Sequence, residues 1–178
     1  MTERITTNKN ESKKGVEDNA RKFVVDNIDP NFLKENGAIS FTLVVDWIET
    51  NEDSEKKIVY KKFEDGRAQI LLITKITTNN SRMADRREIL EDEYKELLKS
   101  SILRSEKKRY EFKFVQDDVT FNMKYDEFNN NLKMLEVDAL NEEDRNKFKS
   151  QLFPYKISEV TGNIDYYGYR VAELRSGI

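Results

Sequence analysis

Apolar and polar positions alternate along most of this chain, and the exceptions fall in a few short blocks. Phe23, Val24 and Val25 predict a short strand that stops near Asn27 to Pro30. Ile39, Phe41, Leu43, Val45 and Trp47 then share one face of a longer strand, because successive strand residues point to opposite sides. Residues 56 to 63 and 67 to 77 predict a hairpin about Glu64-Asp65-Gly66, a favourable turn sequence. From Asp85 to Ile102 the spacing becomes helical, with Ile89, Leu90, Tyr94, Leu97, Leu98 and Ile102 on one stripe. Strand periodicity resumes at Glu106 and continues over 118 to 126 and 132 to 139. Asn141 with Asp144 marks the start of a second helix that ends before Pro154. A strand near 156 to 161 and a helical turn near 166 to 174 follow. Strands, helix, strands, helix predicts an α+β chain around a dominant antiparallel sheet. Residues 1 to 15 have almost nothing to bury and read as a disordered tail, leaving 16 to 178 as one domain.

The charges change the picture. Lys107, Arg109, Glu111 and Lys113 lie on one face of their strand, with Tyr110, Phe112 and Phe114 on the other. Glu136 and Asp138 lie opposite Leu135, Val137 and Ala139, about 6 to 7 Å apart along the strand. Such a pair suits one hard cation, a facing row of Lys and Arg, or a plain solvated edge. Arg86-Arg87-Glu88 and Ile73-Thr74-Lys75 add basic side chains beside apolar runs. Four such elements in one sheet suggest that a charged face lines the inside of a barrel. Buried charges need partners of opposite sign, water or a polyanionic ligand.

Composition fits that demand. Charged residues make up 37% of the 178-residue chain, as do hydrophobic ones, and 31 basic against 34 acidic residues leave a net charge of −3. That balance argues against non-specific nucleic-acid binding. With no Cys and no His, thiol and imidazole chemistry and the usual zinc ligands are excluded. No glycine-rich phosphate loop is present, so phosphate would be gripped by Lys and Arg, and a metal would be Mg²⁺ or Mn²⁺ on carboxylate oxygens. No apolar run reaches membrane-spanning length and the start lacks a signal-peptide core, which together predict a cytoplasmic protein.

From about Asp18 to Leu174 the order of motifs resembles the CYTH family of triphosphate tunnel metalloenzymes. Arg21-Lys22-Phe23-Val24-Val25 resembles the end of the opening Glu-x-Glu-x-Lys-Phe signature, and Leu72-Ile73-Thr74-Lys75 the Leu-Thr-x-Lys strand. Arg86-Arg87-Glu88 is similar to Arg-x-Glu, Lys107-Lys108-Arg109 to Lys-x-Arg, and Tyr125-Asp126-Glu127-Phe128 to Leu-Asp-x-Phe. Leu135-Glu136-Val137-Asp138 resembles Leu-Glu-x-Glu, and Glu159-Val160-Thr161 the late Glu-Val-Thr. The resemblance implies a closed eight-stranded antiparallel β-barrel with helices packed outside. It also implies Mg²⁺- or Mn²⁺-dependent hydrolysis of inorganic, nucleoside or thiamine triphosphate, or of an RNA 5′-triphosphate. Lys22, Lys62, Lys75, Arg86, Lys107 and Arg109 would then bind phosphate. Glu136 and Asp138 would bind metal and, with Glu88, carry catalysis, and Asp18 and Glu159 would complete the metal site. Two departures stand out. With Lys22 at the signature Lys, Asp18 and Ala20 stand at the two Glu positions, whereas the register Glu17, Asn19, Arg21 keeps one Glu and loses the other; and the strand that usually carries Arg-x-Arg reads Lys57-Ile58-Val59-Tyr60-Lys61-Lys62. A catalytically silent nucleotide- or polyphosphate-binding or protein-interaction module, or an adenylate-cyclase-like activity, remains the alternative.

Overall fold

The computed structural model describes residues 13–17, 19–79 and 81–175. Among the described residues ten strands form one antiparallel sheet. In chain order they are β1 (Lys13–Glu17), β2 (Arg21–Val25), β3 (Ile39–Thr50), β4 (Ser54–Phe63), β5 (Ala68–Thr78), β6 (Ser81–Glu88), β7 (Leu103–Gln116), β8 (Val119–Phe128), β9 (Lys133–Asp138) and β10 (Ile157–Glu159). Four helices accompany them: α1 (Pro30–Glu35), α2 (Glu91–Leu98), α3 (Glu142–Asn146) and α4 (Gly168–Arg175). No helix among the described residues is long and apolar enough to cross a membrane.

Local chemistry explains most of these boundaries. Gly66, at φ 87°, supplies the left-handed turn residue between β4 and β5 that a side chain would resist. Asp117 and Asp118, both at positive φ, close the β7–β8 hairpin. Asn141 caps α3 by accepting from the Asp144 N–H at 2.8 Å. Asp29 does the same for α1 through the Asn31 N–H at 2.7 Å, with Pro30 in the first turn. The helical spacing read from Asp85 begins too early. Asp85 to Glu88 belong to β6, paired with β5, and the helix starts at Glu91.

The strand order is β1-β6-β5-β4-β3-β7-β8-β9-β2-β10. The expected closed barrel of eight strands is therefore corrected: among the described residues β1 and β10 end the sheet, which is curled rather than closed. The two sides are joined by the chain itself, since only residues 18–20 separate β1, on β6, from β2, on β9. Across that seam the Arg82 N–H reaches Asn19 Oδ1 at 3.4 Å.

The outer face carries two apolar layers. Phe23, Phe112, Phe121, Leu135 and Val137 pack with Leu33 of α1 and with Phe148 and Phe153 after α3. Ile58, Ile70 and Leu72 pack with Ile89, Tyr94 and Leu97 at and within α2. The expectation of helices outside holds for these and fails for α4. Tyr169 and Ala172 of α4 pack on the inner face against Trp47, Val45, Val59 and Ile73. Gly168 lies so close to Trp47 that an added Cβ would stand 3.2 Å from its ring.

Candidate functional site: a cation-lined channel

The register collects charges on the inner face. Leu43 of β3 stands opposite Lys61 of β4 and Lys107 of β7, and Trp47 opposite Lys57. Glu111, Lys124, Glu136 and Lys22 form one continuous rung across β7, β8, β9 and β2. Arg86 faces Ile73 across β5 and β6. These side chains line a single cavity together with Glu55, Lys75, Arg82, Arg109 and Tyr167. Nine Lys and Arg side chains meet three carboxylates there, in a chain whose net charge is −3. The basic excess is local and internal.

Two buried carboxylates hold the cations in place. Asp126, 2% exposed, accepts from Lys107 Nζ at 2.6 Å and from Arg109 Nε and Nη2 at 2.6 and 2.7 Å. The Arg109 guanidinium is thus fixed in plane by a bidentate contact to Asp126, with Nη1 outside that contact. Burial alone would raise the Asp126 pKa, but Arg109 and Lys107 outweigh it and hold it low. Burial pushes Lys107 down, against the pull of Asp126. Glu55, also 2% exposed, is the second anchor, 2.7 Å from Lys57 Nζ and 2.9 Å from Arg82.

Glu136 is different. Arg109 Nη2 stands 3.7 Å from its Oε1, and its side chain keeps 23% exposure. Burial opposes its ionisation, yet Arg109, Lys22, Lys124 and Lys107 hold its carboxyl well below the usual range. It is an ionised carboxylate that accepts hydrogen bonds or a cation and is a poor proton acceptor near neutral pH.

Of the residues read from sequence, Lys22, Lys75, Arg86, Lys107, Arg109 and Glu136 come together on this cavity. Others do not. Lys62 projects from the outer face, with its ammonium over the Tyr60 ring, and its neighbour Lys61 points inward, as β4 alternation requires. Glu159 lies on the outer face, where Arg21 pairs with both its oxygens at 2.8 and 2.9 Å. Glu88 is exposed at the end of β6, near Gln69, and outside the cavity. Asp138 sits at the rim, 3.3 Å from Arg145 of α3. Asp18 lies outside the described residues. The sequence reading missed Glu55, Lys57, Lys61, Arg82 and Lys124, although simple alternation from Ile58 marks the first three.

A divalent metal needs several oxygen donors converging on one point. Among the described residues no group of three or more carboxylates converges. Glu55 and Asp126 are each occupied by two cations at hydrogen-bonding distance, and Lys124 stands between Glu111 and Glu136. These residues do not make a resident metal cage. Glu136, facing the cavity, is a single carboxylate of the kind that Mg²⁺ and Mn²⁺ accept as an oxygen donor.

The architecture has known counterparts. Two crystal structures of one protein, NE1496, share it. One, described as a hypothetical protein, is 20% identical over 88% of this chain and 97% of that chain, with a TM-score of 0.57. The other, described as the inorganic triphosphatase NE1496, is 19% identical over 88% and 94%, with a TM-score of 0.56. The chain shares the fold of NE1496. No protein-family model matches the chain, and no curated protein does.

Proposed function

We infer that the channel takes up a triphosphate-type polyanion and that the protein hydrolyses its terminal phosphoanhydride bond. The substrates are inorganic triphosphate or the triphosphate of a nucleoside or thiamine, entering as the Mg²⁺ or Mn²⁺ complex. The observation that carries this reading is nine inward cations against three carboxylates on one cavity. The shared fold of NE1496, described as an inorganic triphosphatase, supports the class of reaction.

The chain's own residues have defined tasks. Lys22, Lys61, Lys107, Lys124 and Arg109 neutralise phosphate oxygens and hold the chain of phosphates extended, so that water can approach the terminal phosphorus in line. Asp126 engages the Nε and Nη2 donors of Arg109 and so orients the guanidinium, whose Nη1 then meets a phosphate oxygen with little reorganisation as charge develops. Glu136, ionised and facing the cavity, orients water or the substrate-borne cation.

One observation favours a second reading. With Ala20 in a signature Glu position and no convergent carboxylates among the described residues, a silent polyphosphate-binding module fits the same channel. Phosphate release from inorganic triphosphate and ATP, with Mg²⁺ and with Mn²⁺, separates the two. Metal-dependent release by the wild type that is lost in Glu136→Gln supports the hydrolase. Thermal stabilisation by the same ligands without release selects the binding module, and neither effect refutes both.

A further inference from the structure

Glu55 belongs to none of the motifs in the sequence, yet it organises one end of the channel. It lies on β4 near the inner helix α4, pairs in register with Lys75 on β5, and binds Lys57 Nζ and Arg82 Nη2 at 2.7 and 2.9 Å. Three strands therefore deliver cations to one carboxylate. The Tyr167 ring, from the segment leading into α4, lies 4.5 Å from the Arg82 guanidinium carbon and covers it. Arg82 Nε is buried with no hydrogen-bond partner, so a donor remains to be used on that side.

We propose that Glu55 is a positioning residue for the inner end of the ligand: it holds Lys57 and Arg82 as a paired anion cradle, and a phosphate group that settles there draws a proton onto Lys57. This rests on the triphosphate reading of the channel. The surroundings of Lys57 explain the proton. Burial pushes its ammonium down to about 7, Lys75 and Lys107 push the same way, and Glu55 opposes them. Around that centre stand Arg82 and Arg86 of β6, the Trp47 ring of β3 at 5.7 Å, and Tyr167. A cluster so rich in cations leaves Lys57 partly neutral near pH 7 until negative charge arrives. Phosphate oxygens add that charge and favour the ammonium form.

The sign of the effect follows. Below about pH 7 Lys57 is already protonated and affinity gains nothing from further acid. Above it, binding must take up a proton, so affinity falls by up to about tenfold per pH unit. Without Glu55 the ammonium loses its main support, and the break moves to lower pH. Without Lys57 this break disappears. The ligand's own ionisation is common to every protein compared.

Calorimetric titration with inorganic triphosphate, from about pH 6 to 9, is the test. Wild type, Glu55→Gln and Lys57→Gln are compared, with circular dichroism to check folding. The expected result is a break near pH 7 in the wild type, shifted to acid in Glu55→Gln and absent in Lys57→Gln. If Glu55→Gln does not fold, Lys57→Gln decides, and a wild-type break retained there overturns the proposal. Triphosphate binding with one unmoved pH profile in all three proteins overturns this proposal and leaves the triphosphate reading intact. A wild type that binds no triphosphate at any pH overturns both.

Discussion

Replacing Asp126 with Asn tests how the channel holds its charges. The substitution keeps the shape and removes one negative charge that three donors share: Lys107 Nζ, Arg109 Nε and Arg109 Nη2. A single amide oxygen cannot satisfy them. Removing one partner of a buried ion pair costs about 3–5 kcal/mol, because the remaining charge is left uncompensated. Lys107 has an escape, since burial already favours its neutral form, but Arg109 stays charged at any accessible pH. The lower half of that range is therefore expected. For a domain of this length, roughly 2–4 °C is lost per kcal/mol, so the melting temperature should fall by about 6–16 °C. Urea unfolding at neutral pH reads the free energy, and thermal melts read the temperature. Inorganic triphosphate supplies the missing negative charge, so it should raise the melting temperature of Asp126→Asn by more than that of the wild type. A loss under about 1 kcal/mol, or equal stabilisation of the two by triphosphate, would refute the idea that Asp126 is the counter-charge the ligand complements.

Three further outcomes follow from the same geometry. Glu136→Gln should abolish metal-dependent phosphate release with the far-ultraviolet circular dichroism near wild type, while the melting temperature falls, because Arg109, Lys22, Lys124 and Lys107 lose the carboxylate they hold ionised. An unfolded variant would show that Glu136 is structural. Lys107→Ala leaves Asp126 with its bidentate Arg109 partner, so the fold should persist while triphosphate affinity falls more than diphosphate affinity; equal losses would move the phosphate contact off β7. Glu55 is held at about 2 despite its burial, by Lys57, Lys75 and Arg82, against an ordinary value of 4.5. A carboxyl depressed in the folded state contributes stability that is complete above the unfolded pKa and is lost as pH falls through the folded one. Between about pH 4.5 and 2, therefore, roughly 3 kcal/mol should disappear, and acid titrations of Glu55→Gln should lack that slope. An identical acid profile in the variant would contradict the assignment.

Legibility in the sequence followed the range of the interaction. Ile39 to Trp47, Lys107 to Phe114 and Leu135 to Ala139 declare their two faces by alternation alone, and Asn141 caps α3 as its spacing with Asp144 predicts. The inner cations Lys107, Arg109 and Lys75 could be found in this way. What failed depended on distant partners. Nothing local tells Glu159 that it will meet Arg21, 138 residues away, on the outer face. Glu55 joins Lys57, its strand neighbour, to Arg82 on another strand, and that carboxylate has no signature apart from its in-phase spacing with Lys57 and Lys61. The β6 strand was hidden because Asp85-Arg86-Arg87-Glu88 is uniformly charged and runs straight into a helical stripe. Closure could not be read from strand periodicity either, because it depends on β1 and β2 pairing with opposite sides of the sheet.

The proposed function requires that the internal cations form a triphosphate site. Isothermal titration of inorganic triphosphate, with and without Mg²⁺, into the wild type and Arg109→Ala tests it most directly. One saturable site is expected in the wild type, tighter for triphosphate than for diphosphate, weakened by added salt and lost or greatly weakened in Arg109→Ala. Absence of binding, or binding that Arg109→Ala leaves unchanged, would contradict it.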